Sequence, residues 1–254
     1  MQSSNPVFRS YNGNKRNNVD VENLYNSPSA TSFQTGRLSM DDVVVKTGFL
    51  FVLVGLSAAF SWISNLGSGV LMLAMLVGFG LAMYNSFARK VHPLTVSLYA
   101  VAEGVLLGVI SHIYETAYAG IVGQAILATA ATFLGALFAY KSKRIRVTPK
   151  TYRIAMIAIF SWMGIGLFSL IAGAFGYGHG YGFYGVSGLG LLLATGGVLL
   201  AAFFIILDFD QIDRAIASQA PRDEAWRMAF GLMVTIIWLY MQILQLLGML
   251  RDNK

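Results

Sequence analysis

The sequence predicts an all-α integral membrane protein, a seven-transmembrane-helix bundle. Three observations lead there. Of 254 residues, 56% are hydrophobic and only 12% charged, against roughly 25% charged in a soluble domain. Seven apolar runs each reach the ~20 residues that carry a helix across ~30 Å of hydrocarbon. Lysine and arginine crowd into alternate connections between those runs. Strands of a membrane barrel would be half as long and alternate polar with apolar residues, which these runs do not.

Taken in order, residues 1–42 are rich in Ser, Asn and mixed charge, with no apolar run. They read as a polar, largely disordered tail that docks locally through Leu24 and Tyr25, ahead of a membrane domain at 43–254. No secretory signal core is present. The spans follow at 47–66, 69–88, 93–113, 120–140, 153–175, 184–207 and 226–250. The weakest break is the first, where Asn65, Gly67, Ser68 and Gly69 must make a hairpin without any charge. Small residues recur inside the spans: Gly78 and Gly80, Gly104 and Gly108, Gly164 and Gly166, Gly196 and Gly197. In lipid they let helix backbones approach, so they predict a compact bundle; the GxxxG at Gly104–Gly108 is read the same way and not as a dimer seam. The 5–6 connection, GYGHGYGFYGVSG, is aromatic and suits a membrane interface. Its lone His179 has no metal-ligand spacing to His92 or His112.

Orientation follows from the basic residues. The 2–3 loop holds Arg89 and Lys90. The 4–5 loop holds Lys141, Lys143, Arg144, Arg146, Lys150 and Arg153, and the 6–7 loop holds Arg214, Arg222 and Arg227. The other three loops have none. The N-terminus therefore faces the cytoplasm and, after an odd number of spans, the C-terminus lies outside. The 4–5 cluster is juxtamembrane and basic, which points to lipid headgroups and away from nucleic acid.

The acids carry the functional question. Glu103 lies ten residues into the third span, near mid-membrane, where an ionisable side chain costs about 2.5–3.5 kcal/mol and marks a candidate site. Tyr99 shares its face and Gly104 lets another backbone come near. The second place is ILDFDQID, residues 206–213, after some twenty uncharged residues. On a continuing helix Asp208 shares a face with Gln211, while Asp210, Asp213 and Arg214 share another. Asp208 and Asp210 diverge by about 200°, so one looks inward while the other meets water. Asp213 reads as the wet end of the helix. Oxygen ligands of this kind suit Ca²⁺ or H⁺ in transit, with no fixed metal site. No nucleophile–base pair, zinc motif or phosphate loop is present, and cysteine is absent. No enzyme and no cofactor are expected.

With the stretches YNSFARKVHP, LYAVAEGVLLG, RIRVTPKTYR, LDFDQID and VTIIWLYMQILQLLG in this order, residues 40–250 resemble a bacterial branch of the Bax-inhibitor family, the transmembrane BAX-inhibitor-motif proteins. The resemblance implies a last helix enclosed by the other six, in a bacterial plasma membrane. It also implies ion transport as a pH-sensitive calcium leak gated by paired aspartates on helices six and seven. The helix-six aspartate falls on Asp208, with Gln211 beside it and Asp210 where relatives carry an amide. The helix-seven partner falls on Thr235, which is no acid. Arg89 is the approximate counterpart of an arginine that pairs with the helix-six aspartate. The expectation is a leak with Asp208 as cytoplasmic gate and Glu103 as mid-membrane acid. The alternative is a non-conducting partner or regulator of another membrane protein, such as a membrane protease. It would make contact through the tail and through the 6–7 loop. A secondary transporter ranks third, because inverted repeats are not evident.

Overall fold

The computed structural model describes residues 36–64, 66, 68–142, 147–177, 182–185 and 188–252. Leu24, Tyr25, Asn65, Gly67, Lys143, Arg144, Arg146 and His179 lie outside the described residues. The helices are α1 (Met40–Ile63), α2 (Ser68–Phe87), α3 (Pro93–Ala117), α4 (Ile121–Lys141), α5 (Pro149–Ala174), α6 (Leu189–Ala217) and α7 (Glu224–Asp252), with a 3₁₀ turn at Gly182–Gly185 before α6. All seven are long and apolar enough to span a membrane, as expected.

The helix ends depart from the apolar runs for local reasons. α1 begins at Met40, seven residues before the apolar run. The Ser39 hydroxyl accepts from the Asp42 N–H at 3.2 Å, and Asp41 and Asp42 oppose the positive end of the helix dipole. Residues 40–42, read as tail, are thus the first turn of the helix. Thr148 caps α5 in the same way, accepting from the Thr151 N–H at 3.2 Å, with Pro149 in the first turn. α3 and α4 join through Gly120 at φ +79°, where a side chain would be strained. The Glu115 carboxylate accepts from the Gly120 and Val122 N–H groups at 2.6 and 3.0 Å and holds that turn. α6 continues to Ala217, ten residues past its apolar run, so LDFDQID lies within the helix.

α7 is central. Half of its membrane window is buried, against 11% for α5, and it packs on α1, α3, α4 and α6. One core joins α4, α6 and α7 around Ile121, Ile205, Leu239 and Leu244; another joins α1, α3 and α7 around Leu50, Val96 and Met233. In lipid, hydrophobicity does not draw helices together, so close packing must. The α1–α3 seam shows how. A Cβ at Gly104 would press on the Val54 carbonyl, and one at Gly108 on the Ala58 carbonyl. The Ser61 hydroxyl donates to the Val105 carbonyl at 2.9 Å across the same seam. The GxxxG pair is therefore used inside the bundle. The starts of α1, α3, α5 and α7 lie at one end with the ends of α2, α4 and α6, here termed the basic end.

Candidate functional site

Asp208 sits between buried Leu207 and Phe209 on α6. Counting 1.5 Å per residue, it lies about 14 Å inside the end of that helix. Glu103 lies about 15 Å inside the start of α3 by the same measure. The two acids thus stand at similar distances from the ends of their helices. The reason is the continuation of α6 to Ala217, which carries its tip well beyond the acid.

Thr235 of α7 faces Asp208 and brings its hydroxyl close to the carboxylate. That hydroxyl also reaches the Gly231 carbonyl at 3.2 Å. A hydroxyl has one proton to give, so it serves one acceptor at a time. Oδ2 of Asp208 is buried with no hydrogen-bond partner. Two turns along the same face of α7 comes Gln242, only 9% exposed, whose Oε1 is likewise buried and unpartnered. It fits because Gly197 of α6 lies opposite; a Cβ there would overlap the Gln242 amide and the Trp162 ring. The α6–α7 seam therefore carries a line of oxygen atoms, Asp208, Thr235 and Gln242, two of them without donors.

Glu103 belongs to a different seam. It lies beside Tyr99 one turn back, and Gly78 of α2 makes room for it, with Oε1 3.5 Å from where a Cβ would stand. Tyr99 in turn lays its ring against Phe230 of α7, centroids 5.1 Å apart. Neither Glu103 nor Asp208 lines the cavity of about 1260 Å³ that opens sideways between α1 and α4.

The remaining predicted residues are placed apart from Asp208. Gln211 is exposed because its face of α6 turns away from the core that takes Phe209 and Ile212 on either side of it. Asp210 pairs with Arg214 at 2.6 Å, and the same guanidinium donates to the Val147 carbonyl at 3.3 Å. Asp213 accepts from the Tyr140 hydroxyl at 2.6 Å. The Arg89 side chain is exposed and pairs with no carboxylate among the described residues. Its backbone carbonyl, held by Arg227 at 2.8 Å, makes the contact at that loop. The resemblance placed an arginine opposite Asp208, and this geometry does not. In the basic cluster, Lys141, Lys150 and Arg153 are exposed.

Two features escaped the sequence reading. Gln242 is one amide in an apolar helix, and its polarity in α7 was the available signal. The other is a clasp at the basic end. Arg222 donates to Asp42 at 2.9 Å, Lys46 donates to the Arg222 carbonyl at 3.3 Å, and the Leu38 N–H donates to the Ala220 carbonyl at 2.9 Å. Lys46 also lies over the Trp226 ring, 5.1 Å from its centroid.

Residues 5–252 match the family model described as Bax inhibitor 1 like. No curated protein matches the chain.

Proposed function

Because this chain belongs to the Bax inhibitor 1 like family and folds as a seven-helix membrane bundle, we propose that it is a passive leak for small cations, Ca²⁺ or H⁺, closed in this conformation. The observation that carries this reading is the Asp208 carboxylate, buried at the α6–α7 seam with an oxygen that has no partner. An acid so placed costs stability, and a purely structural bundle gains nothing from it. Thr235 stands where the family's second acid falls. The seam thus offers one carboxylate, one hydroxyl and one amide oxygen, all hard ligands for a cation.

Opening requires α6 and α7 to part at Asp208 so that water and a cation reach its free oxygen. One proton gained or lost there changes the charge of the seam, so flux depends on pH. Glu103, beside Tyr99 and packed on Gly78, stands off this path at the α2–α3 seam. The basic end faces the cytoplasm, in a bacterial plasma membrane.

The test is flux from proteoliposomes loaded with a Ca²⁺-sensitive or pH-sensitive dye. The wild-type chain is expected to leak, and Asp208→Asn to abolish the pH dependence of that leak. Wild-type flux equal to that of empty vesicles rejects the proposal.

A further inference from the structure

Away from the basic end, three helices meet on the α6–α7 seam. Gly196 and Gly197 of α6 leave a shelf, and the half-buried Trp162 of α5 lays its ring there. A Cβ at Gly196 would stand 3.3 Å from ring carbon Cζ3, and one at Gly197 would stand 2.7 Å from Cζ2. The Gln242 amide of α7 comes to the same place, its Cδ 2.7 Å from that same position over Gly197. Ring and amide are therefore neighbours above one glycine. The ring turns its carbon edge to the shelf, while Gln242 Oε1 is buried without a donor. Trp162 thus covers a polar oxygen without satisfying it.

How each helix is held decides which wall can yield. α7 is tied along its length to α3 and the turns that flank it. Arg227 donates to the Ala88 and Arg89 carbonyls at 3.0 and 2.8 Å, the Ser111 and Tyr240 hydroxyls share a hydrogen bond of 2.6 Å, and Arg251 donates to the Ala119 carbonyl at 2.9 Å. α5 is the least buried of the seven, at 11% of its membrane window, and packs on α6 and the 3₁₀ turn. Its bond to that turn, from the Phe183 N–H to the Ser169 hydroxyl at 2.9 Å, lies two turns away from Trp162.

We infer that Trp162 is the outer gate of the cation path and that the Gln242 amide oxygen is the ligand behind it. This rests on the leak proposed above and carries it past Asp208. Gln242 follows Thr235 by seven residues, about 10 Å along α7, so a cation leaving the carboxylate outward meets that oxygen next. Amide oxygens are hard ligands suited to small cations. With the indole on its shelf the oxygen is sealed from water. When α5 carries the ring off, the two glycines have no side chain to fill the gap. A ring serving only to fill space gains nothing by lying over a bare carbonyl, because a buried oxygen without a donor is destabilising.

The chain has no cysteine, so an introduced one reports alone. Gln242→Cys in lipid vesicles is exposed to a membrane-impermeant methanethiosulfonate bearing a trimethylammonium group. It should react slowly behind Trp162, at least tenfold faster with Trp162→Ala, and slowly again with Trp162→Phe. Met233→Cys, buried against α1 and α3, should stay unreactive throughout, which separates an opened gate from a loosened bundle. In vesicles loaded with a Ca²⁺-sensitive dye, Trp162→Ala should raise flux several-fold and leave its pH dependence as in the wild type. Trp162→Leu makes the same comparison if the alanine variant folds poorly. Labelling at position 242 that ignores residue 162, labelling at 233 that rises with it, or flux unchanged by loss of the ring would overturn the inference. Silent wild-type vesicles reject the leak and the gate with it; a leaking wild type with any of those three results rejects the gate alone.

Discussion

Two seams of the bundle do opposite things with polar atoms. Between α1 and α3, glycines bring the backbones together, and the Ser61 hydroxyl finds the Val105 carbonyl at 2.9 Å. Between α6 and α7, Asp208 and Gln242 each keep a buried oxygen without a donor. The first seam is closed in both senses, sterically and by hydrogen bonding. The second holds unspent bonding capacity, which a ligand or water can take up only when the helices separate. In a bundle held by close contact, the satisfied seam serves as the fixed wall and the unsatisfied one is where movement has something to gain.

Substitutions sharpen this contrast in descending order of effect. Gly108→Leu places side-chain atoms against the Ala58 carbonyl, a backbone group that cannot turn aside. It should cost more than about 3 kcal/mol, read as loss of folded protein in detergent or a collapsed thermal melt. Asp208→Leu should run the other way, raising stability by about 1–3 kcal/mol as an unpaired buried polar group disappears, while the leak is lost. A Tm for this variant below wild type would break the contrast. Gln242→Met, near in volume and without an orphan oxygen, should stabilise by about 1 kcal/mol and reduce flux only in part. Ser61→Ala, on the satisfied seam, should cost only about 0.6 kcal/mol and leave flux alone.

The spans were readable in the sequence because hydrocarbon imposes length and composition on each one separately. Their ends were less so. Asp41 and Asp42 look like tail until Ser39 is seen to cap them, and LDFDQID looks like an exit until α6 is followed to Ala217. Asp208 was visible as an acid set against FFIIL, and Thr235 came opposite it through the family resemblance. Its other expected companions did not, since Gln211 lies on the outward face of α6 and Arg89 follows the end of α2 at the surface. The lateral groove left no mark in the sequence. It arises where α1 and α4 both pack on α7 and scarcely touch each other, and no single run of residues encodes a missed contact.

The clasp at the basic end has a mechanical consequence. The Leu38–Ala220 and Asp42–Arg222 bonds rivet the first turn of α1 to the tight turn from which α7 departs. α1 and that turn therefore travel as one piece. A tug on the backbone at Arg37 is delivered, as through a crank, to the hinge shared by the helices that bear Asp208 and Thr235.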